Sequence, residues 1–375
     1  MLVVVKNMSK LNNKKIIILQ DYFLYKGGGE RSMIELAKAL GADIATSFIS
    51  KDAFNPRDHG IKTIELTTEG GFSHIPGWRF LKVQFSFVFK TRFLKKYDII
   101  IYSGDCISAV HNCKDKLNVA YVHTPPRHLF DNYKIRLNEY KGLKRLIFRP
   151  YVWVSRWRYK RAIPKMDLLI ANSKNVQKRI KKYLGMASVV IYPPGDTLNF
   201  KWISQGDYYF SWARLYDVKR VDKIVEAFTK MPEKKLVVAS GGPELEKIKK
   251  IAKGHDNIKI LNWISDEKLL ELIGNCLATI YIPLNEDFGM SPVESMMAGK
   301  PVVGVNEGGL KETIIDDKTG ILLKSDFNIQ DIARAVRELT SGKAIAMRNA
   351  CEEQAKKFSV EEFINGVAEN IESKI

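Results

Sequence analysis

Short apolar runs alternate along the chain with longer stretches in which apolar positions recur every three or four residues. The first pattern predicts buried strands and the second amphipathic helices. Their alternation predicts an α/β fold with mostly parallel sheets. In the first half, Lys15–Gln20 is a predicted strand, and Met33, Leu36, Ala37 and Leu40 form one stripe of a helix over Glu30–Leu40. Further strands are expected near Tyr97–Tyr102, Asn118–Val122, Asp167–Asn172 and Ser188–Tyr192. Tyr192-Pro193-Pro194-Gly195-Asp196 then breaks the pattern, and the chain stays polar to Asp207. A second set of strands follows near Tyr208–Trp212, Lys235–Ser240, Asn257–Leu261, Leu277–Ile282 and Pro301–Val305, and Val360–Ile375 has helical spacing. The expected organisation is one domain over 1–195, a second over 196–358, and a segment over 359–375 packing back toward the first. Two such halves imply a cleft between them, where the carboxyl ends of the strands would receive a nucleotide.

One stretch is ambiguous. Trp78–Tyr97 interleaves Arg79, Lys82, Lys90, Arg92, Lys95 and Lys96 with Phe80, Phe85, Phe87, Phe89 and Phe93. It fits a membrane-interface helix and equally a core-packed helix with a basic outer face. The period-two alternation of Phe85, Phe87 and Phe89 weakens the helix reading there.

Composition narrows the field. With 375 residues, 45% of them hydrophobic, the chain is long enough for two full cores and carries no mark of disorder. No apolar run approaches the roughly 18 residues of a membrane span. The opening Met-Leu-Val-Val-Val is too short for a signal peptide and lacks a cleavage site, so a cytoplasmic location is expected. Cys106, Cys113, Cys276 and Cys351 form no CxxC pair and no His/Cys metal spacing. The net charge of +18 is lopsided: residues 1–200 hold 35 Lys/Arg against 15 Asp/Glu, and 201–375 hold 25 against 27. Lys134–Lys182 alone has 16 bases and two acids, Glu139 and Asp167. Such a field suits an anionic partner: a membrane surface, a lipid diphosphate or a nucleic acid. A Lys-rich solvated surface accounts for part of it.

The densest candidate chemistry lies between Tyr281 and Thr313. Glu286 and Glu294 flank Phe288-Gly289-Met290-Ser291. Ser291 and Pro292 predict a helix start, with Glu294 at the capping-box position and Gly299 just past the end. The N–H groups of that helix start would attract an anion such as a diphosphate. Glu294 alone fits a mere capping partner as well, and Glu286 alone a surface loop acid. Gly27-Gly28-Gly29-Glu30 also joins a strand to a helix. It is neither a P-loop nor a GxGxxG fingerprint, and tight turns use glycine in any case. Arg214 and Lys219 share one strand-to-helix loop, where two cations can neutralise a leaving diphosphate. They also fit two exposed charges. His123 ends a predicted strand; a lone histidine is more often structural than catalytic. Asp316-Asp317 reads as a turn.

Taken together these segments closely resemble the family 4 retaining glycosyltransferases. The resemblance rests on Glu286, seven residues, Glu294, then Gly-Lys-Pro-Val-Val and a Gly-Gly loop. It extends to the Gly-rich loop, Ala171-Asn172-Ser173, Tyr192-Pro193-Pro194, Arg214/Lys219 and Gly241-Gly242-Pro243, all in family order. Ala213 and Arg220 stand where the family has glycines, and Arg220 adds a third cation. His123-Thr124-Pro125-Pro126-Arg127-His128-Leu129-Phe130-Asp131-Asn132-Tyr133 resembles a segment of O-antigen and exopolysaccharide mannosyltransferases, with Phe130 for their usual Trp.

The resemblance implies a GT-B fold, two Rossmann-like domains with parallel sheets facing across a cleft. It implies transfer of a hexose, of mannose from GDP-mannose in the closest flavour, onto a lipid-linked or glycolipid acceptor in surface glycan synthesis. By the same resemblance, Glu286, His123, Arg214 and Lys219 are the catalytic set. Gly28, Gly29, Phe288, Gly289, Met290, Ser291 and Glu294 join Arg214 and Lys219 around the donor, and Arg127 and Asp131 are acceptor candidates. No metal or other cofactor is called for. The implied setting is the inner face of the cell membrane, on an anionic surface, without nucleic acid. The rival readings are a UDP-sugar-dependent transferase of the same fold, a nucleotide-sugar 2-epimerase and, more remotely, a basic nucleic-acid-binding protein.

Overall fold

The structure, a computed structural model, describes residues 9–70, 76–195 and 197–375. The opening Met-Leu-Val-Val-Val and Asp196 of the interdomain break lie outside the described residues. The chain divides into two compact units, one ending at Pro193 and resuming over Val360–Ile375, the other Pro194–Ser359.

The first unit is built on seven strands: β1 (Ile16–Gln20), β2 (Asp43–Thr46), β3 (Thr63–Glu65), β4 (Ile99–Ser103), β5 (Leu117–Val122), β6 (Leu168–Ala171) and β7 (Val189–Val190). They run in the order β3-β2-β1-β4-β5-β6-β7 with every pairing parallel. Strands β1 and β4 are buried on both faces, which is why they read as continuous apolar runs rather than alternating ones. Helices cover the sheet. Gly28–Leu40 buries Met33, Ile34, Leu36 and Ala37. The Val360–Glu372 helix adds Phe363, Ile364, Val367, Ala368 and Ile371 to the same core.

The second unit holds β8 (Tyr208–Ser211), β9 (Lys235–Val238), β10 (Ile258–Ile260), β11 (Ala278–Ile280), β12 (Val302–Val305) and β13 (Gly320–Leu323). Their order is β10-β9-β8-β11-β12-β13, again all parallel. Strand order reverses between β1 and β4 in the first sheet and between β8 and β11 in the second. At such switch points neighbouring loops diverge and leave a crevice outside the carboxyl ends of the strands.

Two local features differ from what the apolar pattern alone suggests. Pro76–Phe89 is a helix despite its alternating phenylalanines. Val83 and Phe87, four residues apart, are buried, whereas Phe85 and Phe89 are exposed, so the tertiary core selects the helical period. The chain also forms β2, β3 and β13, which the apolar pattern did not announce; all three have four residues or fewer. Among the described residues no helix is long and apolar enough to cross a membrane.

Candidate functional site

The loops leaving β8 and β11, the two strands at the second unit's switch point, carry Arg214, Lys219 and Glu286. Lys219 closes a short 3-10 turn, Asp217–Lys219, and the chain then turns through Arg220 at φ 55°. Its ammonium donates to Glu286 Oε2 at 2.6 Å and to the Tyr281 hydroxyl at 2.8 Å. Burial pulls the Lys219 pKa down, but the Tyr281 and Glu286 partners outweigh it and the net shift is upward. Burial raises the buried Tyr281 phenol, and the Glu286 charge raises it further. Lys219 is thus a fixed cation and Tyr281 a neutral hydroxyl.

The Glu286 loop is gripped from both sides. Leu284 N–H donates to the Val218 carbonyl at 2.7 Å, and Gly309 N–H to the Glu286 carbonyl at 2.9 Å. Gly308, at φ 59°, and Gly309 lie so close that a Cβ on either would overlap the Glu286–Phe288 backbone. The Gly-Gly loop after β12 is therefore a backbone clamp on the carboxylate's loop. Arg214 is half-buried. Its carbonyl accepts from Tyr216 N–H at 2.8 Å, and Leu215 N–H donates to Gly241 at 3.0 Å, which fixes the loop against the Gly241-Gly242 turn.

The helix after Glu286 runs over Met290–Met297, not from Pro292. Its N-cap is Gly289, at φ 100°, and no side chain caps it. The expected Ser291 cap and the Glu294 capping box are not formed. Glycine's access to this backbone conformation lets the turn into the helix finish two residues earlier. Met290 and Ser291 thereby become first-turn residues whose N–H groups have no acceptor within the helix. Phe288 is buried and Glu294 half-buried. Past the far end, Gly299 at φ 65° takes the left-handed position expected of it.

Arg220 is not part of this cation group. It pairs with Glu307 at 2.7 Å, and its guanidinium lies 5.2 Å from the Phe327 ring centroid. Its charge is committed to bracing the loops. Asp316 accepts from Leu322 N–H at 2.8 Å, as a turn residue does.

The first unit gathers a second group. His123 follows β5, and its Nε2 lies 3.1 Å from Ser103 Oγ, at the end of β4. A Cβ on Gly29 would come within 3.2 Å of the His123 ring. Glycine there lets the start of the Gly28–Leu40 helix approach the imidazole. Burial lowers the His123 pKa to about 4, so at neutral pH the ring offers one N–H and one lone pair. Arg127 and Asp131 pair with each other at 3.0 Å, and Arg179 Nε stands 4.0 Å from the same carboxylate.

Sequence reasoning missed Tyr281, and it missed two carboxyls beside Ser103. Asp21 accepts from the N–H groups of Tyr22 and Asp105, at 2.9 and 3.2 Å. Burial raises Asp21 to about 6. Burial, then the Asp21 charge, raises Asp105 to about 7. The available signal was an acid placed directly after the apolar run Ile16–Gln20. Among the described residues no three His, Cys, Asp or Glu gather into a metal-binding group.

Two family models match end to end: Glycosyltransferase Family 4 over residues 26–197 and Glycosyl transferases group 1 over residues 200–358. The chain is 39% identical over 98 residues to the alpha-1,3/1,6-mannosyltransferase ALG2 of Dictyostelium discoideum, which is 25% of this chain and 23% of that one. It is 26% identical over 219 residues to a glycosyltransferase of Methanocaldococcus jannaschii, 56% of this chain and 61% of that one. The chain thus spans less than two thirds of the length of these curated relatives. Its fold matches Anabaena HepE, solved with UDP and glucose, at TM-score 0.74 and 18% identity, covering 96% of this chain and all of that one. WaaG, a glycosyltransferase involved in lipopolysaccharide biosynthesis, matches at TM-score 0.68 and 15% identity over 95% of this chain and 99% of its own. The two domain models lie in order along the chain, and its GT-B fold is shared over nearly its whole length with these solved enzymes. The chain is similar to family 4 glycosyltransferases over residues 26–197 and to group 1 glycosyl transferases over residues 200–358.

Proposed function

We propose that the protein transfers a hexose from a nucleotide sugar, mannose from GDP-mannose, to a lipid-linked or glycolipid acceptor in surface glycan synthesis. The observation that carries this is the Lys219–Glu286 pair at the switch point, followed at once by a glycine-capped helix start. In this reading Arg214, Lys219 and the Met290 and Ser291 N–H groups stabilise the departing diphosphate, each well-placed donor contributing about 2–4 kcal/mol. Glu286 orients the sugar through a hydroxyl, and Glu294 holds the ribose. In the first unit, Gly28, Gly29 and His123 form a separate group whose neutral imidazole suits a sugar hydroxyl.

The acceptor oxygen bonds to the anomeric carbon as the bond to the diphosphate breaks. The acceptor proton passes to the diphosphate, and attack from the leaving-group face retains configuration. No metal or other cofactor enters this scheme. The work takes place at the inner face of the cell membrane, on an anionic surface, and nucleic acid has no part in it.

Support for the sugar comes from the mannosyltransferase relatives. A second reading, a UDP-sugar donor, has the UDP and UDP-glucose complexes of HepE behind it. Thermal stabilisation by GDP, UDP, ADP and their sugar conjugates separates the two. A ligand at about 100 times its Kd adds roughly 2.7 kcal/mol. A shift with GDP and GDP-mannose alone supports the proposal. A shift with UDP compounds alone replaces the donor, and silence from all of them overturns the transferase reading.

A further inference from the structure

Two helices of the first unit carry apolar side chains on both faces. Gly142–Ala162 buries Val152, Ser155, Tyr159 and Ala162, a stripe at three- and four-residue steps. Leu143, Leu146, Ile147, Trp153, Val154 and Trp157 are all exposed, Leu143 by 70% and Trp153 by 71%. At about 100° per residue these six form a second stripe, roughly 120° wide, on the side opposite the buried one. Pro76–Phe89 repeats the arrangement. Val83 and Phe87 are buried, Leu81, Phe85 and Phe89 are exposed, and the Phe85 and Phe89 rings stack at 5.7 Å. Both helices pack on the same 3-10 segment, Ile107–Asn112, so they are neighbours on one side of the first unit. Soluble monomers rarely leave so many large apolar side chains exposed along one helix face.

The charge around the stripe specifies the occupant. Gly142–Ala162 contains seven Lys or Arg and no Asp or Glu. The Arg161 guanidinium lies 5.4 Å from the Trp157 ring, a cation–aromatic pair suited to headgroup depth. Past the helix end, Lys165 Nζ donates to His111 Nδ1 at 2.8 Å. Burial, then the charges of Lys165, Lys114, Arg161 and Arg158, depress the His111 pKa, so four cations converge on one imidazole. An acyl-chain surface beneath a layer of phosphates satisfies both features at once.

We propose that this side of the first unit docks on an anionic lipid bilayer. The Leu143–Trp157 stripe enters the acyl-chain boundary, and the Arg161, Lys165 and His111 cluster meets headgroup phosphates. This rests on the reading of the protein as a transferase with a lipid-borne acceptor, and it assigns the docking face.

The probe is vesicles of phosphatidylcholine mixed with phosphatidylglycerol, compared with pure phosphatidylcholine. Wild-type protein is expected to co-sediment with the mixed vesicles, less so as salt rises, and to leave the neutral ones. The Leu146→Glu/Ile147→Glu variant changes only exposed positions. It is expected to lose at least tenfold in vesicle partitioning while keeping its melting temperature and its stabilisation by GDP. A blue shift of tryptophan emission on mixed vesicles, reduced in Trp153→Gln, is the second readout. Equal binding to both vesicle types overturns the proposal, as does unchanged binding by the double variant. So does self-association that the double variant abolishes without any vesicle binding, because a second copy then covers the stripe. Vesicle docking that behaves as expected in a protein unresponsive to every nucleotide supports the docking face and removes the transferase reading instead.

Discussion

Lys219 Nζ stands 2.6 Å from Glu286 Oε2, joining two loops that are 67 residues apart in the chain. The pair fixes the carboxylate at the switch point, and Tyr281 holds the lysine from the other side. Replacing Glu286 leaves Lys219 with its tyrosine partner and with 23% of its side chain open to solvent. Glu286→Ala is therefore expected to fold as wild type and to lose at least tenfold in turnover, about 1.4 kcal/mol or more of transition-state stabilisation. Near-normal turnover in a folded variant would remove Glu286 from the mechanism.

Arg214 lies in the loop after the neighbouring strand, β8, and the proposed function gives it the diphosphate. Arg214→Ala is expected to weaken binding of the free nucleoside diphosphate at least tenfold, measured by calorimetry, with the melting temperature of the unliganded protein little changed. Unchanged affinity would take the guanidinium out of the diphosphate clamp.

Gly308 tests the clamp without touching a chemical group. A methyl there meets the Glu286 backbone at a φ of 59°, so the loop has to move. Gly308→Ala is expected to cost about 1–3 kcal/mol of stability and to lower turnover as much as Glu286→Ala does. Full activity with unaltered stability would show that the contact does not position the carboxylate.

His123 gives a prediction with a sign. Its folded pKa, about 4, lies below the ordinary histidine value. Between pH 4 and 6.5 the unfolded chain then holds more protons at this position than the native one. This contribution to stability is present above about 6.5 and is lost as the pH falls, with a slope of at most about 1.4 kcal/mol per pH unit. His123→Asn removes it, so the stability advantage of wild type over the variant should shrink from pH 7 to pH 4 in chemical denaturation. A constant difference would mean that the imidazole is not buried in solution. Because the ring is already neutral, turnover should show no histidine titration between pH 6 and 8 that His123→Asn abolishes.

The α/β alternation and the break near residue 193 were legible because buried parallel strands are written as apolar runs and linkers as Pro and Gly. Lys219 and Glu286 stood out in the sequence and the structure joins them, since loops at strand ends keep their polar residues in fixed register with the strands. The Lys219–Tyr281 bond was not legible, because Tyr281 reads as one more apolar residue of the predicted strand Leu277–Ile282 and its hydroxyl acts only through a lysine distant in sequence. The helix start at Met290 was hidden for a related reason. Ser291 and Pro292 have the right local chemistry, but the left-handed turn at Gly289 overrides it. Over Pro76–Phe89 the local alternation was real and misleading, because burial of Val83 and Phe87 decides the period.

The Val360–Glu372 helix completes the first unit's core with residues that follow the entire second unit in the chain. During synthesis the β1–β7 sheet therefore waits, one hydrophobic flank unfilled, while Pro194–Ser359 emerges as an uninterrupted run that can close on its own. The unit translated first becomes the unit finished last, and a chain cut after Ser359 would keep the whole second unit while leaving the first one open.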